Sequence, residues 1–184
     1  MARTPSNMLP LGTKAPYFKL QDSVSGLQMS LDELKGVNAT LIMFICNHCP
    51  FVKYVNPQLS QLAKDYISKG VNCVAISSND IENYPQDRPE LMRSNAIEQD
   101  FIFPYLFDQT QAVAKAYDAA CTPDFYVFDK DLKLVYRGQL DDSRPGNDIK
   151  VTGSDIRAAL DALLAQKPIN ELQKPSIGCN IKWK

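Results

Sequence analysis

Long hydrophobic runs are missing from this sequence of 184 residues. No stretch approaches the ~18–20 apolar residues needed to cross a bilayer, and the first ten residues hold no apolar core of signal-peptide length. The expectation is a cytoplasmic protein, in a compartment that keeps thiols reduced. An excess of either charge is missing too: 20 lysines and arginines stand against 21 aspartates and glutamates, a net charge of −1. That balance excludes the basic footprint of a nucleic-acid binder and makes an anionic membrane surface an equally poor partner. Repeats, low-complexity tracts and linkers are absent, so one domain is expected over residues 1–184, long enough to bury a proper core.

Cysteine is sparse and odd in number, at positions 46, 49, 73, 121 and 179. That spacing does not suit the disulfide framework of a secreted protein. Histidine is rarer still, since His48 stands alone. Neither a second Cys-x-x-Cys nor a His-x₃₋₅-His accompanies the close pair Cys46 and Cys49. A structural zinc site needs four ligands, so no metal is expected, and the pair points to redox chemistry.

The rest of the chain switches between strand-like and helix-like patterns. A short strand is expected over 17–20, then a capping box at Ser30 and Glu33 with Gly36 closing its helix. Residues 40–45 form a continuous apolar run, as a central strand buried on both faces requires. A helix follows over about 49–69, with a kink or break expected at Pro57. Further strands are expected over 71–77 and 104–107, with a polar loop over 78–88 and a helix over 89–99. Asp108 should cap a helix to about 119, and a hairpin should join 124–128 to 132–136. An amphipathic helix over 152–166 precedes an irregular tail from about 168 to 184. This order predicts an α/β fold, a central mixed sheet flanked by helices. Reactive groups in such sheets lie beyond the carboxyl ends of parallel strands, where Cys46 and Cys49 fall.

At the first turn of a helix, residues i and i+3 face the same way and can open and close a disulfide without moving the fold. The positive end of the helix favours thiolate over thiol. On this reading Cys46, the more exposed at the helix entrance, attacks, and Cys49 resolves the mixed disulfide. His48 would tune the pair when protonated, Lys53 would reach the same face, and Pro50 fits a helical first turn because its missing N–H is not needed there. No cofactor is implied beyond the redox-active disulfide itself. The partners expected are a protein or small-molecule disulfide or thiol, and an upstream reductant.

The segment 12–20, Gly-Thr-Lys-Ala-Pro-Tyr-Phe-Lys-Leu, the lead-in 30–36 and the pair Cys46/Cys49 together resemble the thioredoxin superfamily. More narrowly they resemble its redoxin branch, the AhpC/TSA-like group of peroxiredoxin and thiol-reductase domains. The Cys-Asn-His-Cys-Pro run, the segment 136–145 and the Gly-Cys-x-Ile-Lys-Trp-Lys ending mark a distinct subfamily, and the likeness spans about 8–184. The resemblance implies a thioredoxin-like fold with an N-terminal extension and an insertion before the cis-proline strand. Thr122-Pro123 would be that cis-proline, lying against the disulfide and offering backbone to a bound partner. Thr40 stands where thioredoxin has its buried aspartate, and Asp124 is either a substitute or a solvated strand-end residue.

Peroxiredoxins suggest an alternative. There Cys49-Pro50 matches the attacking Cys-Pro, Cys46 resolves, peroxide is the substrate, and Arg137 or Arg144 would polarise it. A third reading is a redox-sensing adaptor, with Cys179 and Trp183 in a tail that either binds a partner or docks on its own domain. Cys73 reads as a core thiol, and Cys121 as a third redox thiol or a small buried residue.

Overall fold

The computed structural model describes residues 3–184. In chain order its elements are β1 (Arg3–Pro5), β2 (Lys19–Asp22), β3 (Gln28–Ser30), α1 (Leu31–Leu34), β4 (Ala39–Phe44), α2 (Pro50–Ile67) and β5 (Val71–Ser77). After a 3₁₀ turn at Pro85–Asp87 come α3 (Pro89–Glu98), β6 (Tyr105–Phe107), α4 (Ala112–Ala116), β7 (Cys121–Thr122) and β8 (Asp124–Asp129). The chain closes with β9 (Leu134–Gly138), α5 (Ser154–Leu164) and β10 (Ile177–Asn180).

Seven strands form one mixed sheet in the order β3-β2-β6-β5-β4-β8-β9. β5 runs parallel to both β4 and β6, and the outer pairs are antiparallel. β4 is buried at every position because both of its faces are covered. Leu41 and Met43 join the layer beneath α2 and α5, while Ile42 and Phe44 face Phe18, Tyr117 and Tyr126 on the other side. This two-sided burial is what an unbroken apolar run encodes, and it fixes the carboxyl end of β4, where Cys46 begins the active run.

Helix α2 starts with Cys49 as its N-cap and Pro50 at its first position. Of the kink or break expected at Pro57, the break does not occur: the helix runs on through it. Pro57 and Lys53 are both exposed, so water can take the carbonyl that the missing N–H leaves unpaired. Gly36 does not close α1 through a left-handed turn. The helix ends at Lys35 in extended conformation, and a Cβ at Gly36 would lie 2.0 Å from the Ala39 carbonyl oxygen, so close approach is what requires glycine there. The first strand of the main sheet lies two residues later than the pattern over 17–20 suggested. Asp108 is not the N-cap of α4, a place taken by Gln111, but its carboxylate still accepts the Ala114 N–H at 2.9 Å.

The tail departs most from expectation. Residues 177–180 are a strand, not irregular chain: β10 lies between β1 and β7 in a second, three-stranded sheet. Its antiparallel register sets Arg3 to Pro5 against Cys179 to Ile177 on one side, and Cys179 against Thr122 on the other. Trp183, beyond this strand, stays partly exposed with the Lys115 ammonium 5.7 Å from its ring centre.

Candidate functional site

Cys46 follows the carboxyl end of β4, and Cys49 sits one turn on at the mouth of α2. Facing them is the Thr122–Pro123 peptide bond, which is cis. The Thr122 hydroxyl oxygen is 3.3 Å from Cys46 Sγ, and the Thr122 carbonyl oxygen is 3.2 Å from Cys49 Sγ. Thr122 and Pro123 are therefore brought against the pair, with one residue touching both sulfurs.

The expected exposure of Cys46 is overturned. Cys46 and Cys49 are 1% and 0% exposed. The cover comes from sequence-distant chain, namely the cis-proline segment and β10 laid upon it. All five cysteines are buried thiols with no disulfide between them.

Protonation is asymmetric, in the opposite sense to the sequence reading. A hydrogen bond shared with Cys49, then burial, then the Asp87 charge, push the Cys46 thiol well above its ordinary range. The same shared bond holds Cys49 low. Burial opposes that lowering, while the Cys179 thiol and the backbone N–H groups of Val52 and Cys179 reinforce it. The interaction between the two thus favours ionisation of Cys49 over Cys46, while as a thiol Cys49 donates to the Thr122 carbonyl at 3.2 Å and lies 2.8 Å from Cys179 Sγ. The helix end contributes as anticipated, but to its N-cap residue and not to the residue upstream.

Asp87 is the main residue that sequence reading missed. It lies in the polar run after β5 with no local pattern to mark it. Its one signal is position, since the carboxyl end of β5 adjoins that of β4. Its fully buried carboxylate accepts the amides of Asn47 at 2.8 Å and His48 at 3.3 Å, and the Asn79 side chain at 2.8 Å. His48 Nδ1 lies 2.7 Å from Oδ2, the oxygen that Asn79 also bonds, and the imidazole stacks on Tyr84. Burial pushes this carboxyl up, but the bonds from His48, Asn79 and Asn47 outweigh it and hold it below the usual range. The hydrogen bond of the His48 ring goes to Asp87 and not to a sulfur, so His48 bears on the pair through that carboxylate.

The other predicted residues lie apart from the sulfurs' contacts. Arg137 bonds the Leu9 carbonyl and Gln173. Arg144 bonds the carbonyls of Asp141 and Ser143 and the Gln139 side chain. Lys53 is exposed, and Cys73 is a core thiol that burial pushes up to about 12. Asp124 is not solvated: it is fully buried, held by Ser6 at 2.9 Å and Tyr126 at 3.0 Å, and burial raises it to about 7.

Cys46, His48 and Asp87 place three metal-ligand atoms within 4.8 Å of one another. The Asp87 oxygens already take four hydrogen bonds, which matches a carboxylate's full capacity. An ion would have to displace them. A cavity of ≈ 20 Å³, lined by Phe51, Pro123, Arg144 and Ile177 among others, flanks the site. It has room for about one water.

A family model described as the AhpC/TSA family matches residues 11–137. No curated protein matches the chain. Among solved structures, an uncharacterized conserved protein from Geobacillus kaustophilus is similar over 100% of this chain and 97% of its own, at 63% identity and TM-score 0.98. A hypothetical protein from Sinorhizobium meliloti 1021 is 48% identical over 98% of each chain, with TM-score 0.96. The thioredoxin domain of a thiol-disulfide oxidoreductase from Bacteroides vulgatus shares the fold at 21% identity. It covers 71% of this chain and 89% of that one, with TM-score 0.61.

Proposed function

This chain belongs to the AhpC/TSA family, a redoxin of the thioredoxin superfamily, and from that premise we propose that it is a thiol–disulfide oxidoreductase working through Cys46 and Cys49. The supporting observation is the placement of the pair at the mouth of α2 with Thr122 of the cis peptide bond against both sulfurs; the interaction between the two pushes Cys46 up and Cys49 down. Cys49 is then the nucleophile. Its thiolate attacks a partner disulfide, one partner sulfur leaves as thiolate, and a mixed disulfide forms. Cys46 next attacks Cys49 Sγ, the internal disulfide closes, and the second partner sulfur is released. An upstream thiol reductant resets the pair. The chemistry needs no cofactor beyond these sulfurs, and a reducing cytoplasm would keep the pair as a dithiol at rest.

Access is the step that burial makes demanding. Asn47, His48 and Phe51, which border the pair, are only half-buried, and movement there admits the partner.

Peroxide is the second reading, favoured by an ionised Cys49 directly before Pro50. Attack would give a sulfenic acid at Cys49, and Cys46 would close the disulfide with loss of water. Arg137 spends Nε and Nη1 on Leu9 and Gln173, whereas Arg144 spends Nη1 and Nη2 on Asp141, Ser143 and Gln139 and keeps a buried Nε without a partner beside the small cavity that Phe51 and Pro123 line. The hydrogen-bond partners of Cys46 and Cys49 are Thr122 and Cys179 and not a guanidinium, so disulfide exchange leads.

The test is stoichiometric oxidation by oxidised glutathione against hydrogen peroxide, followed by disulfide mapping. Fast closure of Cys46–Cys49 by the disulfide, abolished in Cys49→Ser, is the expected result. A protein inert to the disulfide but fast with peroxide would replace this reading with the second. One inert to both would leave only a non-enzymatic role for the fold.

A further inference from the structure

Cys49 has a second sulfur closer than any exchange partner outside the chain. Cys179 Sγ lies 2.8 Å from Cys49 Sγ, across 130 residues of sequence. The Cys179 side chain is 1% exposed. Its contact comes from a strand held in place, not from a passing tail.

Several features hold that strand. β10 pairs antiparallel with β7, which sets Cys179 directly opposite Thr122. Gly178 lets the backbones meet, because a Cβ there would lie 2.0 Å from the Thr122 carbonyl oxygen and 3.1 Å from Pro123 N. Before the strand, the Ser176 hydroxyl donates to the Pro123 carbonyl at 2.6 Å. After it, the Lys182 N–H donates to Asn79 Oδ1 at 2.8 Å, and Gln111 donates to the Lys182 carbonyl at 2.8 Å. β1 closes the far side. The strand thus lies along the Thr122–Pro123 edge with its cysteine aimed at the mouth of α2.

We propose that Cys179 is a third redox thiol of this protein, taking Cys49 into a Cys49–Cys179 disulfide in place of Cys46. The proposal rests on the exchange reading above, in which Cys49 is the sulfur that reacts.

The step balances without an outside reagent. Starting from the Cys46–Cys49 disulfide, the Cys179 thiolate attacks Cys49 Sγ. The Cys49–Cys179 bond forms as the Cys46–Cys49 bond breaks. Cys46 leaves as thiolate and takes up the proton that Cys179 gave away. The oxidation level of the protein is unchanged, and the disulfide has moved from within one helical turn to a link between α2 and β10. The same product forms when Cys179 resolves a mixed disulfide on Cys49, with the partner leaving as thiol. Closing 2.8 Å to the ~2.05 Å of a disulfide bond takes only a small side-chain adjustment.

The two oxidised states differ physically. A Cys46–Cys49 bond leaves β10 held by non-covalent contacts alone. A Cys49–Cys179 bond ties the strand across the cis-proline edge and leaves Cys46 as the only thiol of the cluster.

The experiment treats the full-length wild type, Cys46→Ala and Cys46→Ala/Cys179→Ala with oxidised glutathione. Samples are quenched in acid, alkylated and digested, and the linked peptides are read by mass spectrometry. In Cys46→Ala, Cys49 should be found joined to Cys179. Its glutathione adduct should be about tenfold lower than in the double variant, because the internal thiol acts at a high effective concentration. A persistent Cys49–glutathione adduct in Cys46→Ala, with no Cys49–Cys179 peptide, would overturn the proposal. The exchange reading would survive that result provided the wild type still closes Cys46–Cys49. A wild type in which Cys49 does not react would sink both. Cys46→Ser serves as a second background should the alanine variant fold poorly, and the same two outcomes apply to it.

Discussion

Asp87 holds His48 through the 2.7 Å contact at Nδ1 while it ties the amides of Asn47 and His48, so one buried carboxylate fixes both residues that separate the cysteines. Asp87→Asn keeps the shape and removes the charge. Hydrogen bonds to a charged group are worth about 1.5–3 kcal/mol, and a loss of at least that size is expected from urea unfolding near neutral pH. The Asp87 carboxyl is depressed in the folded state. Its contribution is therefore present above the unfolded value of about 3.9 and disappears as pH falls through the lower folded value. The variant should lose this acid-side dependence. The Asp87 charge also raises Cys46, so in a Cys49→Ser background Asp87→Asn should shift the Cys46 titration downward. An unchanged titration would show that the carboxylate is only a scaffold.

Stabilising the Cys49 thiolate stabilises the reduced protein, and a stabilised reduced form is a stronger oxidant. The Cys46–Cys49 couple should therefore have a potential less negative than the roughly −270 mV of thioredoxin. Far-ultraviolet thiolate absorbance should show one cysteine ionising below the ordinary thiol range, lost in Cys49→Ser. Cys46→Ala removes a donor to that thiolate and should shift the transition upward. If Cys46→Ala leaves it in place, the shared hydrogen bond is not what holds Cys49 low.

Asp124 gives a pH signature of opposite sign to Asp87. Its folded value is raised to about 7, against about 3.9 unfolded. Between those values the folded state binds the extra proton, so stability falls as pH rises, by up to ~1.4 kcal/mol per pH unit. Asp124→Asn should flatten that slope, as read from urea midpoints across the same range. A wild type with level stability over that range would contradict the burial argument.

Gly178→Ala should separate β10 from β7, because the new methyl falls on the Thr122 carbonyl. Overpacking of this kind costs about 1–3 kcal/mol. With the strand displaced, native-state alkylation of Cys49 should accelerate strongly while the seven-stranded sheet persists by circular dichroism. Unchanged alkylation would mean that β10 does not control access.

The central strand and its helix were legible in the sequence for a local reason. Residues 41–45 are apolar throughout, and 59–67 repeat at helical spacing, so each segment announces its own burial. β10 could not be read that way. Ile177-Gly178-Cys179-Asn180 is short and broken by glycine, and its strand character comes from pairing with β1, more than 170 residues earlier, and with β7. The motif pointed to the pair at the helix mouth but not to which of its sulfurs ionises. That assignment draws on Cys179 and Asp87, two residues that only tertiary folding brings to the helix mouth.

Because β10 is covalently part of the molecule, it competes for the β7 edge as a tethered ligand, at an effective concentration that for short links reaches the millimolar range. An outside polypeptide seeking the same edge must displace a strand that never diffuses away. A small oxidant faces no such competitor and needs only a path to Cys49. On the exchange reading proposed above, the fold would thereby sort its callers by size and backbone before any sulfur chemistry begins.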